Sequence, residues 1–258
     1  MKTPSAAPAP STSERVVFGV RPVEELCRAR PREVAVIYVA DGHRPGEMDR
    51  VIAMARDRAI AVEIRPRALI ADLARGAPGH QGIVAIAGPY AYADVDETLD
   101  AIAARGEAPL VVVLDGVTDP HNLGAVARSA EVLGGQLVIL PEKGSAPVNA
   151  GAVKASAGAT ERLPIARVGN VLRTIDRLRE RGQHVWGAAA GQGEPLAKLD
   201  LRGPTAFVLG SEGRGTREAV ARRCSGLVQI PQRGLVDSLN VSVAGAILLY
   251  EAMRQRQG

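Results

Sequence analysis

Residues 110–114 read Leu-Val-Val-Val-Leu. Five apolar residues in a row, with no polar alternation, describe a strand covered on both faces, as in a parallel sheet flanked by helices. The downstream sequence keeps to that plan. A helix is predicted over 120–133, with Pro120 in its first turn and Gly134-Gly135 stopping it. Further strands are predicted at 136–140, 183–188, 205–209 and 227–230, and a last helix over 239–256. Upstream, helices at 22–29, 45–57 and 67–74 alternate with strands at 34–39, 61–64 and 82–87. The expected class is therefore α/β, in two parts. A small α/β domain covers residues 15–88 and a larger one residues 109–258. Between them, 89–108 is acidic and alanine-rich and reads as a linker with a short helix at 95–104. Residues 1–14, rich in Pro, Ala and Ser, read as a disordered tail.

A chain of 258 residues that is 46% hydrophobic and 23% charged can bury a core without disulfide staples. Cys27 and Cys224 lie far apart with no CxxC or Cys/His cluster near either, which argues against a disulfide framework and a metal site. They read as structural thiols in a reducing, cytoplasmic setting. The longest uncharged apolar run, 241–250, is too short for a bilayer, which takes ~20 residues, and the N-terminus has no apolar signal core. Net charge is +4, with 13 Lys+Arg against 10 Asp+Glu in residues 1–88 and 19 against 18 in the rest. That excess permits nucleic-acid binding in the N-terminal third. At 3% aromatic residues, a base-stacking platform is not expected.

Three Gly- and Asn-bearing segments come directly after predicted strands, where open α/β sheets bind ligands. The first runs from Asp115 through Asn122 to Ala130. Leu123, Val126, Ala127, Ala130 and Leu133 share one helical face, and Arg128 falls roughly opposite, at ~100° per residue. From this segment alone Arg128 reads first as a solvated surface arginine, and Asn122 as a capping residue. The second, Leu209-Gly-Ser-Glu-Gly-Arg-Gly215, is neither a P-loop nor a GxGxxG turn, since Glu212 occupies the second glycine position. The third, from Ile230 to Ala244, enters the last helix through Asp237-Ser238-Leu239-Asn240, with Asp237 or Ser238 suited to the N-cap. No Ser-His-Asp order, HExxH or paired-carboxylate signature is apparent, and the four histidines form no recognisable set.

Taken together, Asn-Leu-Gly-Ala-Val-Ala-Arg-Ser-Ala, Leu-Gly-Ser-Glu-Gly-Arg-Gly and the stretch from Ile230 to Ala244 resemble the three motifs of the SpoU/TrmH family of RNA ribose 2′-O-methyltransferases. The likeness runs from about Val16 to the C-terminus. Residues 18–26, 80–85, 154–170 and 251–256 resemble the branch that methylates a guanosine in 23S rRNA. This resemblance implies a C-terminal α/β domain tied into a deep trefoil knot of the SPOUT type, and a small N-terminal α/β domain like ribosomal-protein RNA-binding modules. It implies S-adenosyl-L-methionine as cofactor, 23S rRNA as substrate, and a homodimer with sites at the subunit interface. Residue by residue, Asn122 and Arg128 match the first motif, Glu212 the second, and Ser238 and Asn240 the polar pair of the third. Leu209, Gly210, Ile230 and Leu239 match the cofactor slot. Gln232-Arg233 departs from the usual Met and small residue.

S-adenosylmethionine carries no phosphate, so a P-loop is not needed, and an apolar slot with glycine backbone suits its adenine. The family assigns removal of the 2′-OH proton to the arginine matched by Arg128. A guanidinium, a very weak acid, more easily grips a phosphate and favours the ionised hydroxyl by its charge. Two other readings stand beside this one: a tRNA or resistance-type rRNA ribose methyltransferase, and a catalytically silent RNA-binding or ribosome-assembly factor on the same fold. A small-molecule dehydrogenase is disfavoured by the missing GxGxxG.

Overall fold

The computed structural model describes residues 14–43, 46–77, 79–211, 215–234 and 238–257. The expected tail at 1–14 lies outside them but for its last residue, as do Glu212, Asp237 and Pro45 at the expected start of the second helix. The described residues fall into two compact units, one of residues 14–91 with Val148–Arg162, the other of Tyr92–Pro147 with 163–257.

The first unit holds a four-stranded sheet in the order β1 (Arg15–Phe18), β4 (Ile83–Ala87), β2 (Val34–Ala40) and β3 (Ala61–Arg65). β4 runs antiparallel to both neighbours, and β2 and β3 are parallel. Its helices are α1 (Val20–Ala29), α2 (Glu47–Asp57), α3 (Arg67–Leu73) and α6 (Ala150–Ala155). Phe18, Tyr38, Val84 and Ile86 pack with Ile70 and Leu73 of α3. The segment Val148–Arg162, expected within the larger domain, clusters here through a sealed ion pair. Glu161, whose side chain is fully buried, takes two hydrogen bonds from Arg15 at 2.6 and 3.0 Å, and Arg15 also reaches Glu33 at 3.0 Å. Tyr90 lies under both Arg15 and Arg30 and donates its hydroxyl to the Thr160 carbonyl at 2.6 Å.

The second unit is a seven-stranded sheet with every pairing parallel, in the order β7 (Ile165–Val168), β6 (Leu137–Pro141), β5 (Leu110–Asp115), β10 (Thr205–Gly210), β8 (His184–Ala188), β11 (Gly226–Gln229) and β9 (Glu194–Pro195). The Leu-Val-Val-Val-Leu run is β5, inside the sheet between β6 and β10, fully buried as its composition requires. Val111 and Val113 pack with Leu99 and Ile102 of α4 (Val95–Ala104) and with Ile175 and Leu178 of α7 (Val171–Glu180). The expected linker thus contributes core. α7 is an addition to the predicted elements, although Asn170 caps it and Val171, Ile175 and Leu178 keep helical spacing. β1, β7, β9, α6 and the short α8 (Glu218–Ala221) are further additions.

α5 (Pro120–Val132) and α9 (Val241–Gln257) pack on each other. Leu123, Val126, Ala127 and Ala130 of α5 are buried as expected, with Leu133 half-buried. Gly245 lets α9 approach closely, for a Cβ there would lie 2.9 Å from Leu209. The far end of α9 is pinned by Arg256, which donates to the carbonyls of Ala108, Pro109, Leu201 and Gly203 at 2.7–3.1 Å. Burial pushes its pKa below the ordinary arginine value. Burial also pushes the Cys27 and Cys224 thiols up to about 11, leaving them protonated at neutral pH.

Charge-assisted hydrogen bonds of the Arg256 kind contribute about 1.5–3 kcal/mol each. Arg256→Met is therefore expected to lower the stability of this unit by at least about 2 kcal/mol. The single tryptophan, Trp186, lies on β8, so its fluorescence in urea measures the change.

Candidate functional site

Between β5 and β10 the strand order reverses its direction of growth: the chain adds β6 and β7 on one side, and places β8 and β10 on the other. Such a reversal leaves a crevice beyond the carboxyl ends of the strands. Here Asp115, the last residue of β5, is paired in register with Gly210, the last of β10.

The three segments singled out in the sequence converge on this edge. Asp119 caps α5, accepting from the His121 amide at 2.9 Å, so the capping role does not fall to Asn122. Asn122 is nearly buried, and its Oδ1 accepts from Asn240 Nδ2 at 3.0 Å. The cap of α9 is Asn240, in place of the expected Asp237 or Ser238. Its Oδ1 accepts from the Ser242 amide at 2.9 Å, the Ser242 hydroxyl at 2.6 Å and the Val243 amide at 3.4 Å. A carboxamide does both jobs at once, capping with its oxygen and donating with its nitrogen.

Above these strand ends is a cavity of about 520 Å³. It collects Leu209, Gly210, Ile230, Ser238, Leu239 and Asn240, all expected at the site. Sequence reasoning missed the contribution of Ala188, Ala189, Thr216, Val228, Ala244 and Leu248. The run of small residues after β8, Ala188-Ala189-Ala190-Gly191, was the available signal for part of this wall. Among the described residues no charged side chain lines the cavity.

The glycines of the second segment have a steric cause. The chain recrosses itself after β10, with the Gly215 amide donating to the Ser211 carbonyl at 2.9 Å and Gly215 at φ +63°. A Cβ on Gly210 would lie 2.1 Å from the Gly215 carbonyl carbon. Thr216 donates its hydroxyl to the Ala188 carbonyl at 2.7 Å, and Arg217 holds the buried Asp115 carboxylate through Nε at 2.8 Å and Nη2 at 2.6 Å. That carboxylate raises the Arg217 pKa.

Arg128 stands apart from this assembly. It is exposed on α5, does not line the cavity, and makes no ion pair among the described residues. Glu212 lies outside the described residues. Among the described residues no group of three or more His, Cys, Asp or Glu side chains could hold a metal ion, and no helix is long and apolar enough to cross a membrane.

Comparison with known proteins adds two family matches. Residues 109–250 match the SpoU rRNA Methylase family, and residues 16–93 match the RNA 2′-O ribose methyltransferase substrate binding family. The 23S rRNA (guanosine-2′-O-)-methyltransferase RlmB of Pseudomonas aeruginosa is 40% identical over 241 residues, covering 93% of this chain and 96% of that protein. The SpoU methyltransferase AviRb from Streptomyces viridochromogenes, in complex with the cofactor AdoMet, superposes with a TM-score of 0.78 at 25% identity, covering 95% of this chain and 91% of that one. An AdoMet-bound rRNA methyltransferase from Sinorhizobium meliloti gives 0.74 at 26% identity, covering 94% and 88%.

The recrossing after β10 leaves no room for a side chain at Gly210. Gly210→Ala is expected to cost about 1–3 kcal/mol by overpacking, read from Trp186 fluorescence during urea unfolding. Gly203, where a Cβ would meet nothing within 4 Å, is the control. Gly203→Ala should stay within about 0.5 kcal/mol of the parent.

Proposed function

The chain belongs to the SpoU rRNA methylase family, and from that premise we propose that it transfers the methyl group of S-adenosyl-L-methionine to the ribose 2′-OH of a guanosine in 23S rRNA. The observation that carries the reading is the cavity at the switch point, with no charged side chain in its lining among the described residues, bounded by the first segment's Asn122 through Asn240 and lined by the other two. Its volume falls in the range of small-molecule sites, about 300–1,000 Å³. S-adenosylmethionine bears a net positive charge at its sulfonium, and a lining without cations among the described residues suits it.

Leu209, Ile230, Leu239 and Val228 would hold the adenine, with the Gly210 backbone close enough to reach it because no side chain intervenes. Ser238 and Asn240 supply polar groups at the same wall. When bound, the cofactor supplies a methyl group already activated on sulfur. The protein's work is to place the ribose hydroxyl and assist loss of its proton. Arg128 acts by charge: it grips the RNA phosphate and favours the ionised hydroxyl. Glu212 is assigned to steadying the motif loops. The first unit, with the basic excess of its sequence, would recognise folded RNA by shape and phosphate contacts.

A homodimer is part of the same proposal. α5 and α9 share an apolar groove lined by Leu133, Val243, Ala246, Ile247 and Tyr250, and Val132, Val243 and Tyr250 are about half or more exposed. A second copy seated there would cover the patch and bring Arg128, next to groove residue Ser129, into a shared site. The trefoil knot and a cytoplasmic location complete the reading.

The test is methyl transfer from S-adenosylmethionine to unmodified 23S rRNA, followed by nucleoside mass spectrometry. A single 2′-O-methylguanosine is expected. Arg128→Ala should lose about a hundredfold or more in turnover while still binding cofactor, since Arg128 does not line the cavity. Ribose methylation confined to tRNA would overturn the substrate, and full turnover by Arg128→Ala would overturn the role given to that residue.

A further inference from the structure

We infer that Arg217 is a positioning residue for the cofactor cavity: its ion pair with Asp115 latches the wall formed by Ser211, Gly215 and Thr216 onto the end of β5. The inference rests on reading that cavity as the S-adenosylmethionine slot.

The two partners are unequal. The Asp115 side chain is 2% exposed, while that of Arg217 is 63% exposed. Among the described residues, only Arg217 donates to the Asp115 carboxylate, which it does in a two-pronged fork at 2.8 and 2.6 Å. Lifting Arg217 away would leave the buried Asp115 carboxyl without a side-chain donor among the described residues, which is costlier than breaking a surface pair. The closed position of the wall is therefore enforced from the buried side.

The latch acts where the cavity takes its shape. Arg217 directly succeeds Thr216, whose hydroxyl is fastened to the Ala188 carbonyl at 2.7 Å, and both Thr216 and Ala188 line the cavity. Adjacent residues thus tie the wall to the ends of two strands, β5 through Arg217 and β8 through Thr216. The turn after β5 also abuts the wall, for a Cβ on Gly116 would lie 3.3 Å from the Ser211 Cβ. A wall freed at Arg217 loses its tie to β5, and the lining residues Ser211 and Thr216 shift with it. Arg217 itself does not line the cavity, so its effect on the cofactor is indirect.

The test is calorimetric titration of S-adenosylmethionine into the full-length protein, its R217A, R217K and D115N variants, and the double variant D115N/R217Q. R217A is expected to weaken cofactor binding about tenfold or more. R217K should recover part of the loss, because an ammonium keeps the charge but not the fork. The double variant should lose no more than the worse single one, since the pair acts as one unit. In steady state, KM for S-adenosylmethionine should rise while kcat at saturating cofactor stays within about twofold and KM for rRNA is unchanged. Cofactor binding by R217A equal to that of the parent overturns the latch, whatever happens to its unfolding midpoint. Failure of the parent itself to bind S-adenosylmethionine overturns the cofactor reading, and the latch falls with it.

Discussion

The pairing of β5 with β10 is the constraint on which the rest of the second unit depends. Parallel strands cannot be joined by a tight turn, so each needs a crossover, and every crossover leaves from the same edge. Because β10 enters beside β5 with β8 beyond it, the loops after β5, β8, β10 and β11 gather around the switch on the same carboxyl-end edge of the sheet. The register, with Gly210 opposite Asp115, sets how far those loops overlap. The first two motif segments, about 90 residues apart in the chain, become neighbours through this one ladder of hydrogen bonds. The third joins them because α9 packs on α5, with Gly245 allowing contact with Leu209.

An edge built of loops must satisfy its own backbone. Here a few side chains do so while also fixing positions. Asp119 and Asn240 cap the two helices that enter the edge, and Asn240 reaches across to Asn122. Thr216 takes up the Ala188 carbonyl, and Arg256 gathers four carbonyls at the opposite end of α9. The outcome is a separation of charge from apolar surface. The cavity carries no charged lining among the described residues, whereas Arg128 projects from the exposed side of α5. A cationic cofactor and an anionic RNA backbone call for that separation, because an arginine inside the slot would repel the first and be withheld from the second.

Much of this was legible in residue pattern. β5, α4 and α5 lie where apolar periodicity and Pro/Gly punctuation put them, within a residue or two. The cavity residues Leu209, Gly210, Ile230 and Leu239 came through motif likeness, and their convergence follows from sheet order, which no local pattern encodes. α7 carries a readable signal of its own, a capping Asn170 ahead of Val171, Ile175 and Leu178. The cap of α9 differs from expectation: Asn240 takes that place, and its one carboxamide both caps the helix and reaches Asn122. Thr216 and Arg217 gave no warning, since their partners, the Ala188 carbonyl and Asp115, are 28 and 102 residues away.

The first unit shows why sequence boundaries and packed boundaries differ. Residues 16–93 and 109–250 are each contiguous as family matches, yet Val148–Arg162 packs in the first unit. Glu161 explains why it must. Its carboxylate is sealed from solvent, and Arg15 supplies two of its hydrogen bonds with Arg30 3.8 Å away. Neither segment can be left alone without exposing or orphaning that charge. Isolating residues 109–258 would separate Glu161 from Arg15 and the Thr160 carbonyl from Tyr90, so that segment would lack the donors that satisfy this acid in the full chain. The folding unit is therefore the pair of segments, and Arg15 belongs to the stability of residues 148–162 as much as to the strand that bears it.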